Sequence, residues 1–349
     1  MTAAVKAELV KSLARAVGFD AVGIAPVRPS ERASYYRQWL KAGYAGGMRY
    51  LARHVQAREN PGSLLPQARS IICVGLSYSR GPETAFEAGR GAARVARYAR
   101  GEDYHILICR MLGRLVDELH RRLGEPFGSR VCVDTAPLLE RELAAAGGIG
   151  WIGKNTCLIS PQLGSYVLLG EAITTLDLPA DEPAADGCGR CERCLRACPT
   201  GALMAPYQLD ASRCISYLTI EHRGVIPAEF HRAIGDWVFG CDLCQEACPY
   251  NRKCCCVARK EGVESRVSGV LDLTELAALR ASGYRRLVSG TALRRARRNM
   301  LRRNALVAIG NVPWPPGPAR GRIAALLAQA ARDEDPGVRD AARRTIARI

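Results

Sequence analysis

The sequence predicts a protein of the α/β class in three parts, and three observations support this prediction. Strand patterns alternate with helix patterns over residues 1–180, which is typical of a mixed α/β domain. Eleven of the 15 cysteines crowd between residues 188 and 256. Residues 270–349 show helical patterns. We therefore expect three domains, 1–180, 181–260 and 270–349, because a chain of 349 residues is long enough for two or three.

The elements of the first domain are predicted from apolar periodicity and from the residues that end helices. Gly18 and Gly124 each close a helix pattern, and Ser30 offers an N-cap for another. The predicted helices cover residues 1–17, 30–42, 103–124 and 137–147. The predicted strands cover residues 19–27, 69–79, 129–134, 156–160 and 165–178.

The two following parts are less regular in sequence. Residues 178–187 are rich in Pro, Ala and acidic residues, so we expect a linker into the cysteine-rich domain. The last eighteen residues, RDEDPGVRDAARRTIARI, have the pattern of a HEAT-type helical repeat. One such repeat predicts a small helical C-terminal domain rather than a long solenoid.

The charge of the chain predicts a polyanionic partner. The net charge is +16, and from Arg285 to Ile349 there are fifteen arginines, no lysine and four acids. This tail therefore carries about +11, and nucleic acid is the natural partner for such a surface. The alternative is a solvated helical tail that reflects an arginine-favouring coding bias, because arginine is abundant throughout the chain.

The sequence favours a cytoplasmic location. No apolar run approaches the roughly 18 to 20 residues that a membrane span needs. The N-terminal segment lacks an apolar signal core and a twin-arginine pair. In that compartment, clustered cysteines indicate a metal site rather than disulfides.

The cysteine spacing predicts two [4Fe–4S] clusters in a ferredoxin-like domain. Cys188-x2-Cys191-x2-Cys194-x3-Cys198-Pro199 has the spacing of two-cluster ferredoxins, in which the fourth thiolate binds the other cluster. A second group, Cys241-x2-Cys244-x3-Cys248-Pro249, lacks a cysteine three residues ahead of Cys241. Cys214 is the nearby candidate for the missing ligand.

Eight thiolates then serve two clusters. The first predicted set is Cys188, Cys191, Cys194 and Cys248, and the second is Cys198, Cys214, Cys241 and Cys244. Zinc is the main rival, but it favours two separate C-x2-C pairs and leaves the C-x3-C-P elements unexplained. Two adjacent clusters form an electron path, so another group must receive the electrons.

The remaining seven cysteines are not needed as cluster ligands, although Cys254, Cys255 and Cys256 could bind a further metal. Cys73, Cys109, Cys132 and Cys157 stand singly on apolar segments, where we expect small buried side chains. The run of Cys254, Cys255 and Cys256 is expected in a solvent-exposed loop, because three adjacent thiols cannot easily converge on one ion.

Four further stretches resemble the epoxyqueuosine reductases. They are RYARGEDYH (97–105), VDTAPLLERELAAAGGIGWIGKNTCLI (133–159), CISYLTIEHRG (214–224) and GCDLCQEACPYNR (240–252). The resemblance covers most of residues 1–252, and the helical tail is similar to the HEAT-like C-terminal part of some members.

The resemblance implies an activity and a second cofactor. Members reduce the epoxide of epoxyqueuosine to queuosine at the wobble position of tRNA, with cobalamin and two [4Fe–4S] clusters. Their N-terminal domain shares the reductive-dehalogenase fold. Cobalamin does not follow from composition or spacing here, since the D-x-H-x-x-G signal only begins, with Asp103, Tyr104 and His105.

The resemblance assigns the proton donor to Asp134. An unperturbed aspartic acid titrates near pH ~3.9, so we expect the site to raise the pKa of Asp134 by excluding water. The alternative is that Asp134 or Thr135 caps a helix that starts at Pro137.

Further site residues follow from the same motifs. The expected cofactor contacts are Arg58, Arg97, Asp134, Lys154, Asn155, Ser216, Cys241 and Asp242. The expected substrate contacts are Tyr217, Glu221, His222 and Arg223. We expect a monomer that takes electrons from a low-potential donor such as flavodoxin or ferredoxin, with the arginine-rich tail on the tRNA stem.

Two other functions stay open on the sequence alone. A reductive dehalogenase would share the cofactors, although those enzymes usually carry a twin-arginine leader. A ferredoxin-like electron carrier with an RNA-binding tail would bind clusters and no corrinoid.

Overall fold

The computed structural model describes residues 1–79, 91–253, 263–314 and 317–349. The strands are β1 Ala21–Pro26, β2 Ser70–Ser77, β3 Ala92–Val95, β4 Ser129–Cys132, β5 Trp151–Ile152, β6 Leu158–Ile159, β7 Val167–Thr174, β8 Leu203–Ala205, β9 Gln208–Leu209, β10 Trp237–Phe239 and β11 Val270–Asp272. The helices are α1 Ala3–Val17, α2 Ala33–Lys41, α3 Val55–Glu59, α4 Tyr104–Leu123, α5 Glu140–Ala146, α6 Arg193–Arg196, α7 Ile215–Ile220, α8 His231–Ile234, α9 Leu243–Glu246, α10 Pro249–Lys253, α11 Leu273–Ala277, α12 Ala281–Val288, α13 Arg298–Ile309, α14 Pro318–Ala330 and α15 Pro336–Ile346. Among the described residues, no helix has both the length and the apolar character to cross a bilayer.

The N-terminal part is a four-stranded sheet covered by helices on both faces, which confirms the predicted class. The strand order is β1-β2-β7-β4, and every neighbouring pair is antiparallel. Alternate residues of β2 pack on opposite sides: Ile72 lies in one apolar cluster with α1 and α4, and Ile71 lies in another with α5. All eight residues of β2 are buried, because both faces of this strand are covered.

The helix ends follow the sequence signals in two helices. Gly18 ends α1 with a φ of 115°, and Gly124 ends α4 with a φ of 64°, both in the left-handed region that glycine adopts readily. Asp103 caps the N-terminus of α4 through the backbone N–H of His105.

Two predicted helix starts are wrong. α2 begins at Ala33, three residues after Ser30, whose hydroxyl donates to Glu142 at 2.6 Å and accepts the Arg32 N–H at 3.1 Å. The helix after β4 begins at Glu140, not at Pro137, so neither Asp134 nor Thr135 caps it.

The linker at 178–187 has no helix or strand, as expected, yet it is fixed to the first sheet. The Asp181 backbone N–H donates to Ile24 O, and its carboxylate accepts from the Ile24 N–H, both at 2.9 Å. Lys11 pairs with the same carboxylate at 2.5 Å. The linker therefore runs along the outer edge of β1.

The C-terminal helices share an apolar core with earlier parts of the chain. One cluster of buried residues includes Val95 of β3, Leu218 of α7, Phe239 of β10 and Leu306 of α13. β3 also lies between β10 and β11 in a three-stranded sheet. Helix α13 thus belongs to the interior of the protein.

Two buried polar residues of α13 stabilise this core through hydrogen bonds to backbone carbonyl groups. Asn304 donates to Thr219 O and Val238 O, both at 2.8 Å. Arg303 donates to Leu218 O, His222 O and Gly224 O at 2.7–2.9 Å. These contacts fix the end of α7 and the loop that follows it.

We predict that Asn304→Ala lowers the free energy of unfolding by about 2–4 kcal/mol, because it leaves two buried carbonyl groups without donors. Chemical denaturation followed by circular dichroism measures the change. The exposed Gln329 on α14 provides the control, and Gln329→Ala should unfold like the wild type. Equal stability of the two variants would show that Asn304 does not fasten α7 and β10.

Candidate functional site

The eight predicted cysteine ligands gather into two sets. Burial raises the pKa of Cys194, and the neighbouring thiols of Cys188 and Cys248 raise it further. Burial also raises the pKa of Cys248, with Cys188 and Cys191 as its charged neighbours. The structure therefore brings together the four residues of the first predicted set.

The second set gathers around Cys241. Burial raises the pKa of this thiol well above its ordinary value, and the charges of Cys214 and Cys198 raise it further. A hydrogen bond with Cys157 raises the pKa of Cys244 most. Burial and the charges of Cys214 and Cys241 raise it further. The grouping matches the second predicted set.

Backbone N–H groups already point at several of these sulfurs. Cys214 receives the N–H groups of Ser216 and Tyr217 at the start of α7. Cys241 receives the N–H of Leu243, and Cys248 receives those of Tyr250 and Asn251. Donors of this kind stabilise thiolates and tune the potential of an iron–sulfur cluster. The Trp151 indole adds a side-chain donor, with Nε1 at 3.4 Å from Cys188 Sγ.

The chemistry of the two sets suits iron–sulfur clusters, because soft thiolate donors are the ligands that such clusters take. Within the described ranges, no three His, Cys, Asp or Glu side chains converge closely enough to hold one metal ion.

The turn between β5 and β6 lies beside the second set. It carries Lys154, Asn155 and Cys157, and the Cys157 thiol contacts Cys244. Asn155 is 3% exposed, and its Oδ1 accepts the Cys157 N–H at 3.2 Å. Cys157 is therefore a neighbour of the cluster ligands and not merely a small apolar side chain. Of the other single cysteines, Cys73 and Cys132 are buried as expected, whereas Cys109 is exposed.

Two buried polar atoms in this region indicate room for a non-protein group. Within the part of the chain that the structure describes, Asn155 Nδ2 and Tyr166 Oη have no hydrogen-bond partner. The charges of Asp242 and Cys244 reach Tyr166, whose pKa is raised mainly by burial. Buried polar groups normally have partners, so these two fit a bound cofactor at this place.

Asp242 and Arg97 join this region to the first domain. Asp242 is almost fully buried, and its Oδ2 accepts the Arg97 backbone N–H at 2.8 Å. Burial raises the pKa of Asp242 to about 6. The Arg97 guanidinium lies over the Tyr166 ring at 4.8 Å. Ser216 lies at the start of α7, where its N–H faces Cys214.

Asp134 is held in an unusual backbone conformation. Its φ of 41° lies in the left-handed region, which costs a residue other than glycine roughly 1–3 kcal/mol. The Glu140 carboxylate accepts the Asp134 backbone N–H and helps to hold this conformation. The Asp134 side chain is 54% exposed.

A histidine links Asp134 to a second aspartate. His105 Nε2 is 3.1 Å from Asp134 Oδ2, and its Nδ1 is 2.6 Å from Asp103 Oδ1. The Tyr104 hydroxyl also donates to Asp134 Oδ2, at 2.9 Å. Tyr104 and His105 stack at 4.1 Å between ring centroids. The consecutive residues at the start of α4 thus form one polar array.

The array stabilises the charged forms of both Asp134 and His105. Burial alone would raise the pKa of Asp134, but hydrogen bonds from His105 and Tyr104 outweigh it and lower the pKa. Burial alone would lower the pKa of His105, but hydrogen bonds to Asp134 and Asp103 outweigh it and raise the pKa. The expected rise in the pKa of Asp134 therefore does not occur in the protein alone.

The carboxyl groups of Glu140 and Glu171 interact with each other and with Asp134. Glu171 on β7 is fully buried, and burial together with the charge of Glu140 holds its pKa well above the ordinary value. Burial and the charge of Asp134 raise the pKa of Glu140 as well. The sequence did not predict this pair of carboxyl groups, because Glu171 stands in an otherwise apolar strand.

The predicted substrate residues occupy different places. The Tyr217 hydroxyl accepts the Gly47 N–H at 2.6 Å, and His222 Nε2 bonds to Val225 O at 2.7 Å. Arg223 contacts Met300. Glu221 instead pairs with Arg295, with Nε to Oε1 at 2.6 Å. The charges of Glu221 and Asp134 both act on Tyr98, whose pKa is raised mainly by burial.

Arg58 lies in a separate cavity of about 420 Å³ between β1, α5 and the β5 strand. It is buried, and its guanidinium donates to Arg53 O at 2.6 Å. Asp186, whose carboxylate accepts the Cys188 N–H, also lines this cavity, whereas Asp134 does not. The predicted cofactor contacts therefore fall in two regions.

Sequence reasoning missed three residues near Asp134. His105 stood in a quoted motif but received no role. The sequence does not distinguish Arg295 from the other arginines of the tail, or Tyr50 from the other tyrosines. These residues can be identified only in the folded protein, because their contacts join distant segments of the chain.

Comparisons with known proteins agree with this geometry. Residues 187–251 match the family described as "4Fe-4S double cluster binding domain". Residues 58–135 match the family described as "Epoxyqueuosine reductase QueG, DUF1730". The first match covers all eight predicted cluster ligands, and the second ends just after Asp134.

Curated relatives extend the match over most of the chain. The epoxyqueuosine reductase of Xanthomonas campestris is 42% identical, over 87% of this chain and 86% of its own. That of Escherichia coli is 37% identical, over 88% of this chain and 82% of its own.

Solved structures show the same fold. A crystal structure of epoxyqueuosine reductase with an epoxyqueuosine-modified tRNA-Tyr stem loop matches 98% of this chain and 89% of its own, with a TM-score of 0.86 and 30% identity. The Bacillus subtilis enzyme, solved with its catalytic aspartate loop swung out of the active site, matches 98% of this chain and 89% of its own, with a TM-score of 0.86 and 29% identity. On the identity and coverage of these relatives, the chain belongs to the epoxyqueuosine reductase family.

Proposed function

We propose that this protein reduces the epoxide of epoxyqueuosine in tRNA to the cyclopentene of queuosine. The observation that carries the proposal is the polar array at Asp134, which joins Asp103 and His105 to a half-exposed carboxylate. Loss of the epoxide oxygen as water consumes two electrons and two protons. The array supplies a path for the protons, and the cluster domain supplies a path for the electrons.

Two kinds of cofactor complete the site. The first cysteine set and the second cysteine set would each hold one [4Fe–4S] cluster. Cobalamin would supply a strongly reducing cobalt centre for cleavage of the C–O bond. The buried Asn155 Nδ2 and Tyr166 Oη fit a bound group beside the second set. Arg97, Lys154, Ser216, Cys241 and Asp242 would complete that contact, and Arg58 would hold a more distant part of the cofactor from its own cavity.

The protein's own residues would move the protons. In its charged form His105 carries a proton at Nε2 facing Asp134, and Asp103 fixes the ring through Nδ1. Once a bound nucleotide excludes water from Asp134, its carboxyl takes that proton and delivers it to the epoxide oxygen. His105 is then reprotonated and can supply the second proton. The swung-out aspartate loop of the Bacillus subtilis relative supports a loop that can move toward the substrate.

The partner is tRNA, in line with the net charge of +16. We propose a cytoplasmic monomer that receives electrons from flavodoxin or ferredoxin, with the divisions 1–180, 181–260 and 270–349 as functional parts. Several arginines of the tail have structural partners, such as Arg302 with Asp333 at 2.7 Å, so exposed ones would contact the tRNA stem. The cysteines at 254–256 lie outside the described residues.

The reaction is tested with purified holoprotein, a chemical reductant and tRNA that carries epoxyqueuosine. We expect queuosine by mass spectrometry of the digested tRNA. Asp134→Asn should lower the rate at least about 100-fold, because it removes the acid and keeps the shape. Asparagine also tolerates the left-handed conformation, so the iron content and tRNA affinity should stay unchanged. Unchanged epoxyqueuosine with the wild type would reject the function, and full activity of Asp134→Asn would reject the acid.

The pH dependence tests the role of His105. Since its pKa is raised above about 6.5, we expect the rate to be highest below that raised pKa and to fall as the pH rises through it. His105→Gln keeps a donor to Asp134 but cannot titrate in this range, so the alkaline fall should disappear along with most of the activity. His120→Gln, at the far end of α4, is the matched control. An alkaline fall that persists in His105→Gln would assign it to another group.

A further inference from the structure

Glu171 on β7 is a fully buried acid that takes no part in the proposed proton path. Within the part of the chain that the structure describes, no N–H or O–H group donates to either of its carboxylate oxygens. Its neighbours across the sheet are Cys73 on β2 and Cys132 on β4. These two thiols contact the carbonyl oxygens of Ile71 and Arg130, on their own strands, instead of Glu171.

The side chain of Glu171 points to the face of the sheet that α5 covers. Leu169 and Ile173, two residues to either side of it, lie in the apolar cluster of that face. Leu143 and Ala144 of α5 lie in the same cluster. Because side chains two residues apart on a strand share a face, Glu171 also lies beneath α5.

The path of α5 across the sheet brings Glu140 over Glu171. Just after the helix, Gly147 packs so closely on β1 that a Cβ at Gly23 would lie 1.8 Å from Gly147 O. Gly23, Cys73 and Glu171 are in register across β1, β2 and β7. Two strand spacings separate β1 from β7, which is about 10 Å. The helix from Gly147 back to Glu140 also covers about 10 Å.

The chain that follows β4 fixes Glu140 at this end of the helix. The Glu140 carboxylate accepts the backbone N–H of Asp134, two residues after Cys132. Since β4 is the neighbour of β7, this bond holds the start of α5 on the side of the sheet where Glu171 lies. The high pKa of Glu171, which burial and then the charges of Glu140 and Asp134 raise, agrees with this placement.

The surroundings of Glu171 keep its carboxyl protonated. A buried carboxyl that receives no donor stays neutral, because its charged form would lose hydration without compensation. A neutral carboxyl has one O–H to donate, and Glu140 offers the acceptor. The Asp134 N–H uses one of the roughly four sites on that carboxylate. Burial and the charge of Asp134 raise the pKa of Glu140 to about 7, while the charges of Arg141 and His105 oppose the rise.

We propose that Glu171 is a positioning residue for Asp134 and acts through Glu140. The neutral Glu171 carboxyl donates to Glu140, and Glu140 in turn holds the Asp134 N–H. These two linked hydrogen bonds keep Asp134 at its φ of 41°, which a residue other than glycine adopts only where its surroundings impose it. The inference rests on the proposed function, because it takes Asp134 as the acid, but the linked hydrogen bonds themselves need no substrate.

Two substitutions separate the donor from the shape of the side chain. Glu171→Met keeps the length and removes the donor, so kcat for epoxyqueuosine reduction should fall about tenfold with KM for the tRNA unchanged. Glu171→Gln keeps an N–H donor to Glu140, so kcat should stay within about twofold of the wild type. Leu169→Met, on the same face of β7, is the control and should also keep its kcat. Equal kcat values in Glu171→Gln and Glu171→Met would overturn the role of the donor.

Two measurements on the holoprotein without substrate distinguish this proposal from the proposed function. Infrared spectra at about pH 8 should show the carbonyl stretch of a protonated carboxyl, which Glu171→Gln should lack. Hydrogen exchange of the Asp134 amide, followed by mass spectrometry, should be about tenfold faster in Glu171→Met and unchanged in Glu171→Gln. A wild type without this band, or unchanged exchange in Glu171→Met, would overturn the proposal. A wild type that meets both expectations but reduces no epoxyqueuosine would reject the proposed function alone.

Discussion

The structure depends on the exchange of one cysteine between two motifs. Cys248 stands in the second motif but lies with Cys188 and Cys191, and Cys198 stands in the first but lies with Cys214 and Cys241. Neither motif can complete its set alone, so the two segments must pack against each other. Because α9 and α10 follow directly on β10, this packing also fixes the cluster region against the shared core. The two clusters would then lie side by side as a path for single electrons.

The second constraint is the position of Asp134 relative to this path. The turn between β5 and β6 contacts Cys244 through Cys157, and the Asp242 carboxylate holds the backbone of Arg97. Arg97 and Tyr98 begin the segment that leads to Asp103 and His105. The same stretch of chain therefore connects the second cysteine set with the acid array. In the proposed function, short covalent and hydrogen-bonded links along this stretch would join the delivery of protons and electrons.

Much of this could be predicted from the sequence, and the reasons for the failures are physical. Cysteine spacing is imposed by the cluster, so the grouping of eight thiols followed from the residue numbers, including the distant Cys214. Strong strands such as β2 follow from continuous apolar residues. The protonation of Asp134 could not be predicted, because it depends on His105 and Tyr104 in another segment. The contact of Ser30 with Glu142, far away in sequence, could not be predicted either, and it binds the segment just before α2. Glu221 was selected from its motif, but its partners Arg295 and Tyr50 required the fold.

The iron content of cysteine variants tests the exchange of ligands most directly. Anaerobically prepared wild type should contain about eight irons. Cys188→Ala and Cys248→Ala should each contain about four, and the double variant should also contain about four, because both residues serve the same cluster. A double variant with almost no iron would show that Cys188 and Cys248 serve different clusters and would contradict the account.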